Sequence, residues 1–295
     1  MTFWTHHRRD NLVGYLFVAP ALLGGLAFVL VPLALVGWYS LNEWNVLGGT
    51  FEFVGAENYE RLLADERLRD SLVATAWFAV GLVVLNLSLA LLLAVLLNQE
   101  LRGTTLFRTL FFSPVLVSLV AWTLVWQLML QPEGSVNGLL GAFGVDGPNW
   151  LRGESTAMVA VIVVQVVKNV GLNMVLFLAA LQGVPTPLYE AAELDGAGAW
   201  TRFRRITIPL ISPTILLTSI ITIVGSLQVF AQIAVLTQGG PGTSTTVLVY
   251  YLYQQAFQFH HVGYGAAISV LLFAIVAALT LAQWRMRRKW VLDET

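Results

Sequence analysis

The sequence predicts an all-α integral membrane protein with six transmembrane helices. Two compositional facts and one pattern carry that prediction. Apolar residues make up 57% of the 295 and charged residues only 11%, against roughly 25% charged residues in a soluble globular domain. The mean hydropathy is +0.73, so there is too little charge to coat a soluble surface. Six apolar stretches reach the length of about 20 residues that a helix needs to cross a bilayer, and Lys and Arg collect on alternate connections between them.

The first span reads from Leu12 to Trp38. It follows His6-His7-Arg8-Arg9, as a secretory signal would, but its apolar run is too long for a signal core of about 7–15 residues. It continues through Pro32 to an aromatic edge at Trp38 and Tyr39, so it is expected as a retained helix. The second span reads Leu72 to Leu97, the third Leu106 to Leu130 and the fourth Ala157 to Leu181. The fifth reads Ile208 to Leu236 and the sixth Tyr264 to Trp284.

Six spans put both termini on one side. With the connections at 98–107 and 182–207 and the lip residue Arg108, that side holds eleven of the sixteen Lys and Arg residues. Arg61, Arg67, Arg69 and Arg152 lie opposite, and Lys168 lies inside a span. The basic side is expected in the cytoplasm, with both termini there. The external connection 39–70 carries seven acids against three Arg, and Asn58 to Asp70 reads as a short amphipathic surface helix. Residues 131–155 are rich in turn formers, and 237–246 reads as a flexible external loop.

Several chemistries are excluded. A net charge of -1 offers no basic field for nucleic acid. The absence of cysteine removes disulfides, thiolate metal sites and Cys nucleophiles. Neither Lys168 nor Lys289 follows a glycine, so there is no phosphate-cradling Gly-Lys-Ser/Thr loop. No span contains Asp or Glu, which leaves no intramembrane carboxylate relay. His6-His7 and His260-His261 are adjacent pairs and would point apart on a helix, so no metal site is expected. The chain reads as a conduit energised from elsewhere, with no cofactor of its own and no repeat between its halves.

The connection between spans four and five is the most distinctive segment. Pro187 starts a helix, acids sit in its first turns, and Ala191 and Ala192 give it a close-packing face. Gly196 permits a sharp break. A second short helix is expected to follow, with Arg202, Arg204 and Arg205 near its C-terminal end. By itself this reads equally as a docking plug for a soluble partner or as an ordinary amphipathic loop.

The run Glu190-Ala191-Ala192, three residues, Gly196, nine residues, then Ile206-Thr207-Ile208-Pro209 resembles the EAA signature of the membrane subunits of binding-protein-dependent ABC importers. Ile208 stands where that signature carries Leu. Tyr15 to Ala21, Phe53 to Tyr59, Phe107 to Phe112, Pro148-Asn149-Trp150, Gly239 to Gly242 and Tyr264 to Ser269 are similar to further segments of the sugar-type permeases. The likeness points to the carbohydrate-uptake branch, near the maltose-permease F and glycerol-phosphate permease A subunits.

The resemblance implies a MetI-like permease fold over a single domain, 1–295. Its core would be a five-helix unit, 72–284, preceded by the additional helix 12–38. A cytoplasmic EAA coupling loop would occupy 187–208. It implies as partners a second homologous permease subunit, two cytosolic ATPase subunits, an extracytoplasmic solute-binding protein and a sugar-like substrate. The chain would lie in the cytoplasmic (inner) membrane and carry no catalytic residue. Glu190, Ala191, Ala192 and Gly196 would couple ATP binding to the pathway. The alternatives are the same type of permease for glycerol phosphate or another polar solute, and a secondary transporter acting alone.

Polar residues inside the spans are the candidates for the substrate path. Lys168 lies near the middle of span four, where a charge costs about 2.5–3.5 kcal/mol on insertion scales. It is expected to face the interior, a wet cavity or a partner. Gln165, Asn169 and Asn173 recur every four residues and share a face. In span five, Thr218, Thr222, Gly225, Gln228 and Gln232 step along one expected stripe. Sugars need neutral donors and acceptors, which Asn and Gln supply; the competing reading is bonding between helices.

Overall fold

The computed structural model describes residues 3–45, 48–99 and 103–290. Arg102, one of the residues that set the expected orientation, lies outside them, as do the side chains of Arg8, Arg9, Arg287, Arg288 and Lys289. Among the described residues five helices are long and apolar enough to cross a membrane, and six if one bent pair counts as a span. The chain divides into two compact units, residues 1–64 with 252–271 and residues 65–251 with 272–295.

The first unit begins with α1 (Phe3–Gly25) and α2 (Val31–Tyr39), joined by a widened π turn at Leu26–Leu30. Pro32 has no N–H for the carbonyl four residues back, and its ring crowds that carbonyl, so a widened turn there is expected. No residue of α2 or of the turn is buried. A short hairpin follows, β1 (Asn42–Asn45) against β2 (Thr50–Phe53), antiparallel with Asn42 opposite Phe53. The all-α reading did not contain it. Next comes α3 (Glu57–Ala64). Its Asn58 amide donates to the Ser40 and Asn42 carbonyls, both at 3.0 Å, and its Arg61 guanidinium lies 4.0 Å above the Tyr264 ring. The expected surface helix 58–70 is therefore cut short at Ala64.

Asp65 makes that cut. Its carboxylate accepts from the Arg67 and Leu68 amides at 2.9 and 3.2 Å, which caps α4 (Glu66–Leu97) in the second unit. The Tyr251 hydroxyl donates to the same carboxylate at 2.5 Å. The second span thus begins six residues earlier than its apolar run suggests.

The third span is not one helix. It consists of α5 (Thr104–Leu116) and α6 (Leu119–Met129), bent by 102° at Val117 and Ser118. Pro114 near the end of α5 cannot donate to the Leu110 carbonyl, and Ser113 donates to it instead at 3.0 Å. After α7 (Ser135–Ala142), α8 (Ala157–Gln182) is the most buried span and packs on α4, α5 and α11. Gly171 is the point of closest approach to α5. A β-carbon there would fall 1.9 Å from the Phe111 carbonyl oxygen.

Beyond α8 lie α9 (Thr186–Leu194) and α10 (Ala199–Arg202). A π turn at Phe203–Thr207 then runs straight into α11 (Ile208–Leu227). The separate second helix expected in this connection is thus the first turn of span five, and Arg204 and Arg205 lie inside the run. Pro213 repeats the device of α5: Ser212 donates to the Pro209 carbonyl at 2.7 Å. Span five also stops early. Gly225 and Ser226 precede an exit from helical geometry at Gln228 (φ -103°, ψ 13°), and the chain becomes helical again only in α12 (Ala231–Leu236).

The segment 237–246, expected to be flexible, is tied down. The Thr245 hydroxyl lies 2.7 Å from both the Thr237 hydroxyl and the Gly240 carbonyl, and Thr246 donates to the Gly239 carbonyl at 2.9 Å. The remaining helices are α13 (Leu248–Tyr253) and α14 (Val262–Trp290), which contains span six.

Candidate functional site

Two sites emerge, both in the second unit. The first is the α9–α10 connection. Pro187 sits in the first turn of α9, where its missing N–H has no partner to lose. The helix ends in a Schellman motif. The Ala197 amide donates to the Ala192 carbonyl at 2.9 Å and the Gly196 amide to Glu193 at 3.0 Å, with Gly196 at φ +73°. Glu193 pairs with Arg202 at 2.8 Å across the turn, and Tyr189 shares a hydrogen bond of 2.9 Å with Thr207. These contacts fix the angle between α9 and the start of span five.

Glu190, Ala191 and Gly196 are exposed and Ala192 is half-buried. Sequence reasoning missed their apolar neighbours. Leu194 is 91% exposed and Trp200 70%. Both lie on the same braced turn as the exposed Glu190, and the Trp200 ring packs at 5.7 Å against Phe203. The signal was available, since Trp200 lies among Gly, Ala and Thr, away from any apolar face.

The second site is the polar interior around α8. Lys168 is buried, and its ammonium donates to the carbonyls of Pro114, Val115 and Val117 at 2.5, 3.3 and 2.6 Å. Asn173 donates to the Asn86 side chain at 2.6 Å and to the Thr222 hydroxyl at 3.1 Å. Asn86 in turn donates to the Val166 carbonyl at 3.3 Å. This cluster ties α4, α8 and α11 together. Asn86 was missed, although a single Asn inside an apolar span is the kind of residue to mark. Gln232 on α12 donates to Gln165, and Gln127 on α6 donates to the Val235 carbonyl at 3.0 Å.

The expected span-five stripe is divided. Thr218 and Thr222 are buried, Gly225 and Gln228 are exposed, and Gln232 is buried beyond the break. A straight helix would have aligned them; the exit at Gln228 sends Gln232 to a different neighbour. The face of Gln165, Asn169 and Asn173 is real, with Asn169 half-buried between two bonded residues. At the end of α8 remote from α9, a cavity of about 600 Å³ opens between the ends of α6 and α12, lined in part by Gln127, Gln131, Asn149, Arg152 and Gln238.

The family model for binding-protein-dependent transport system inner membrane components matches residues 86–290. The chain is 37% identical to the lactose transport system permease protein LacF of Rhizobium radiobacter, covering 96% of each chain. It is 34% identical to the trehalose/maltose transport system permease protein MalF of Thermococcus litoralis, over 95% of each. Among solved structures, a subunit of a bacterial alginate ABC transporter, crystallised with an alginate pentasaccharide-bound periplasmic protein, superposes with a TM-score of 0.85. It is 23% identical and covers 98% of both chains, a likeness of fold.

Proposed function

The chain belongs to the family of binding-protein-dependent transport system inner membrane components, and from that membership we propose that it carries a sugar or sugar-like solute across the cytoplasmic membrane. As a member of that family it is a permease subunit of an ABC importer; ATP hydrolysis belongs to other subunits. The reading of the solute rests on relatives named for lactose and for trehalose and maltose, matched along almost the whole chain. The neutral amide and hydroxyl groups of the interior fit a polyhydroxylated solute.

The partners we infer are a second homologous permease subunit, two cytosolic ATPase subunits and an external solute-binding protein. Both termini and the 187–208 loop face the cytoplasm in this reading, because the basic residues collect there. Glu190, Ala191, Ala192 and Gly196 form the ATPase-facing surface, with Leu194 and Trp200 as its apolar anchors. The single observation that supports this is an exposed, internally braced turn leading without interruption into span five. A push on α9 reaches the membrane through a continuous helical run.

For the path we assign Gln228 and Asn169 to the lining. Asn173, Gln232 and Lys168 are bonded within the chain and act as its supports. Purification of the tagged chain from native membranes tests the whole reading. An ATPase should accompany it, and alanine at both Leu194 and Trp200 should release that ATPase. A chain that is recovered without an ATPase, yet is active, contradicts the reading.

A further inference from the structure

A helix that breaks inside a membrane leaves carbonyls without partners, and these must be satisfied by protein or by a wet cavity. The third span breaks at Val117 and Ser118, both extended (ψ 139° and 136°). Three carbonyls around that break converge on the Lys168 ammonium, which has three N–H groups to give; that of Pro114 also accepts from the Val117 amide at 3.3 Å. Donors and acceptors match in number, so no N–H remains for a solute. The cation also sits at the C-terminal end of α5, where the helix dipole favours positive charge.

The neighbouring contacts extend this arrangement. The Trp122 ring lies 5.8 Å from the ammonium, and its indole N–H donates to the Val164 carbonyl at 3.2 Å. One turn along α8, Gln165 accepts from Gln232 of α12. Gln127 then joins α6 to α12. The two broken spans therefore end in short helices that pack on each other, and both are fastened to α8 within residues 164–168.

We propose that Lys168 is a positioning residue: its ammonium stands in for the missing helical N–H groups at the break and holds α6 and α12 as one pair at the outer end of the pathway. The charge acts on the change of state during transport and not on solute recognition. This rests on the permease reading above.

The test uses the complete transporter with its ATPase and binding protein. Because the chain has no cysteine, a single Gln131→Cys reports on the end of α6. The probe is a membrane-impermeant maleimide, applied at rest and after trapping with ATP and vanadate. The parent should change its labelling rate severalfold between the two states. Lys168→Met should lose that difference together with stimulation of ATP hydrolysis by the binding protein, and Lys168→Arg should recover much of both.

Poorly recovered Lys168→Met that still shows both responses per complex would reduce Lys168 to packing and overturn the proposal. If Lys168→Met yields no complex, Gln232→Leu, which frees α12 from Gln165 and leaves the three backbone carbonyls on Lys168 bonded, must show the same losses; normal responses there overturn it as well. A parent complex without any ATP-dependent labelling change or ATPase stimulation would instead count against the permease reading.

Discussion

Gly196 shows how much one residue decides. At φ +73° it occupies the left-handed region, which costs an L-residue roughly 1–2 kcal/mol. A β-carbon there would meet nothing within 4 Å, so the penalty is backbone strain alone. Gly196→Asn should therefore keep most uptake, because Asn tolerates that region. Gly196→Val should abolish uptake while the complex is still recovered. Uptake per assembled complex is the measurement, and equal activity of the two variants would remove the turn from the coupling argument. Gly196 was legible in the sequence because a glycine just after a helical run is the residue that tolerates the left-handed turn ending a helix. Gly171 was not: its role depends on the Phe111 carbonyl arriving from another span, and no local pattern announces that. The Ser-Pro pairs at 113–114 and 212–213 were visible as dipeptides, but which carbonyl each Ser would serve follows only from helical geometry.

At the scale of elements, apolar run length located the spans well and their interruptions poorly. Composition is blind to direction, so a run that bends by 102° reads the same as a straight one. The third and fifth spans are where this mattered. The Gln228 and Gln232 periodicity assumed a helix that stops between them. The buried Asn86, Asn173 and Thr222 cluster joins three elements, and its energetic weight can be measured. Asn86→Leu and Asn173→Leu should each lower the thermal stability of the complex. The double variant should lose less than their sum, since either one breaks the bond between them. The coupling should be on the order of 0.6–1.7 kcal/mol, the range found between membrane helices. Additive losses would show that the two residues act independently. The capping of α4 by Asp65 is a second case. Asp is a familiar cap, yet the continuous helical pattern from 58 to 70 masked it.

For the whole molecule, the bias of Lys and Arg predicts one orientation. A reporter fused after Arg202 should be cytoplasmic and one fused near Gly240 external. The reverse result would invert the topology and place the α9–α10 surface out of reach of any ATPase. The family was legible from the 190–209 segment together with the other segments similar to the sugar-type permeases, because residue type and spacing match there at once. The solute was not, since the neutral side chains that would meet it come from several elements and share no local sequence pattern.

The central claim is that this chain moves a sugar-like solute only when ATP is hydrolysed by partner subunits. Its most direct test is uptake into proteoliposomes that contain the purified complex, with ATP enclosed and the ligand-loaded binding protein outside, using radiolabelled lactose and maltose as probes. At least one probe should accumulate, and its accumulation should require both ATP and the binding protein and stop when either is left out. Accumulation driven by an ion gradient in the absence of ATP would contradict it.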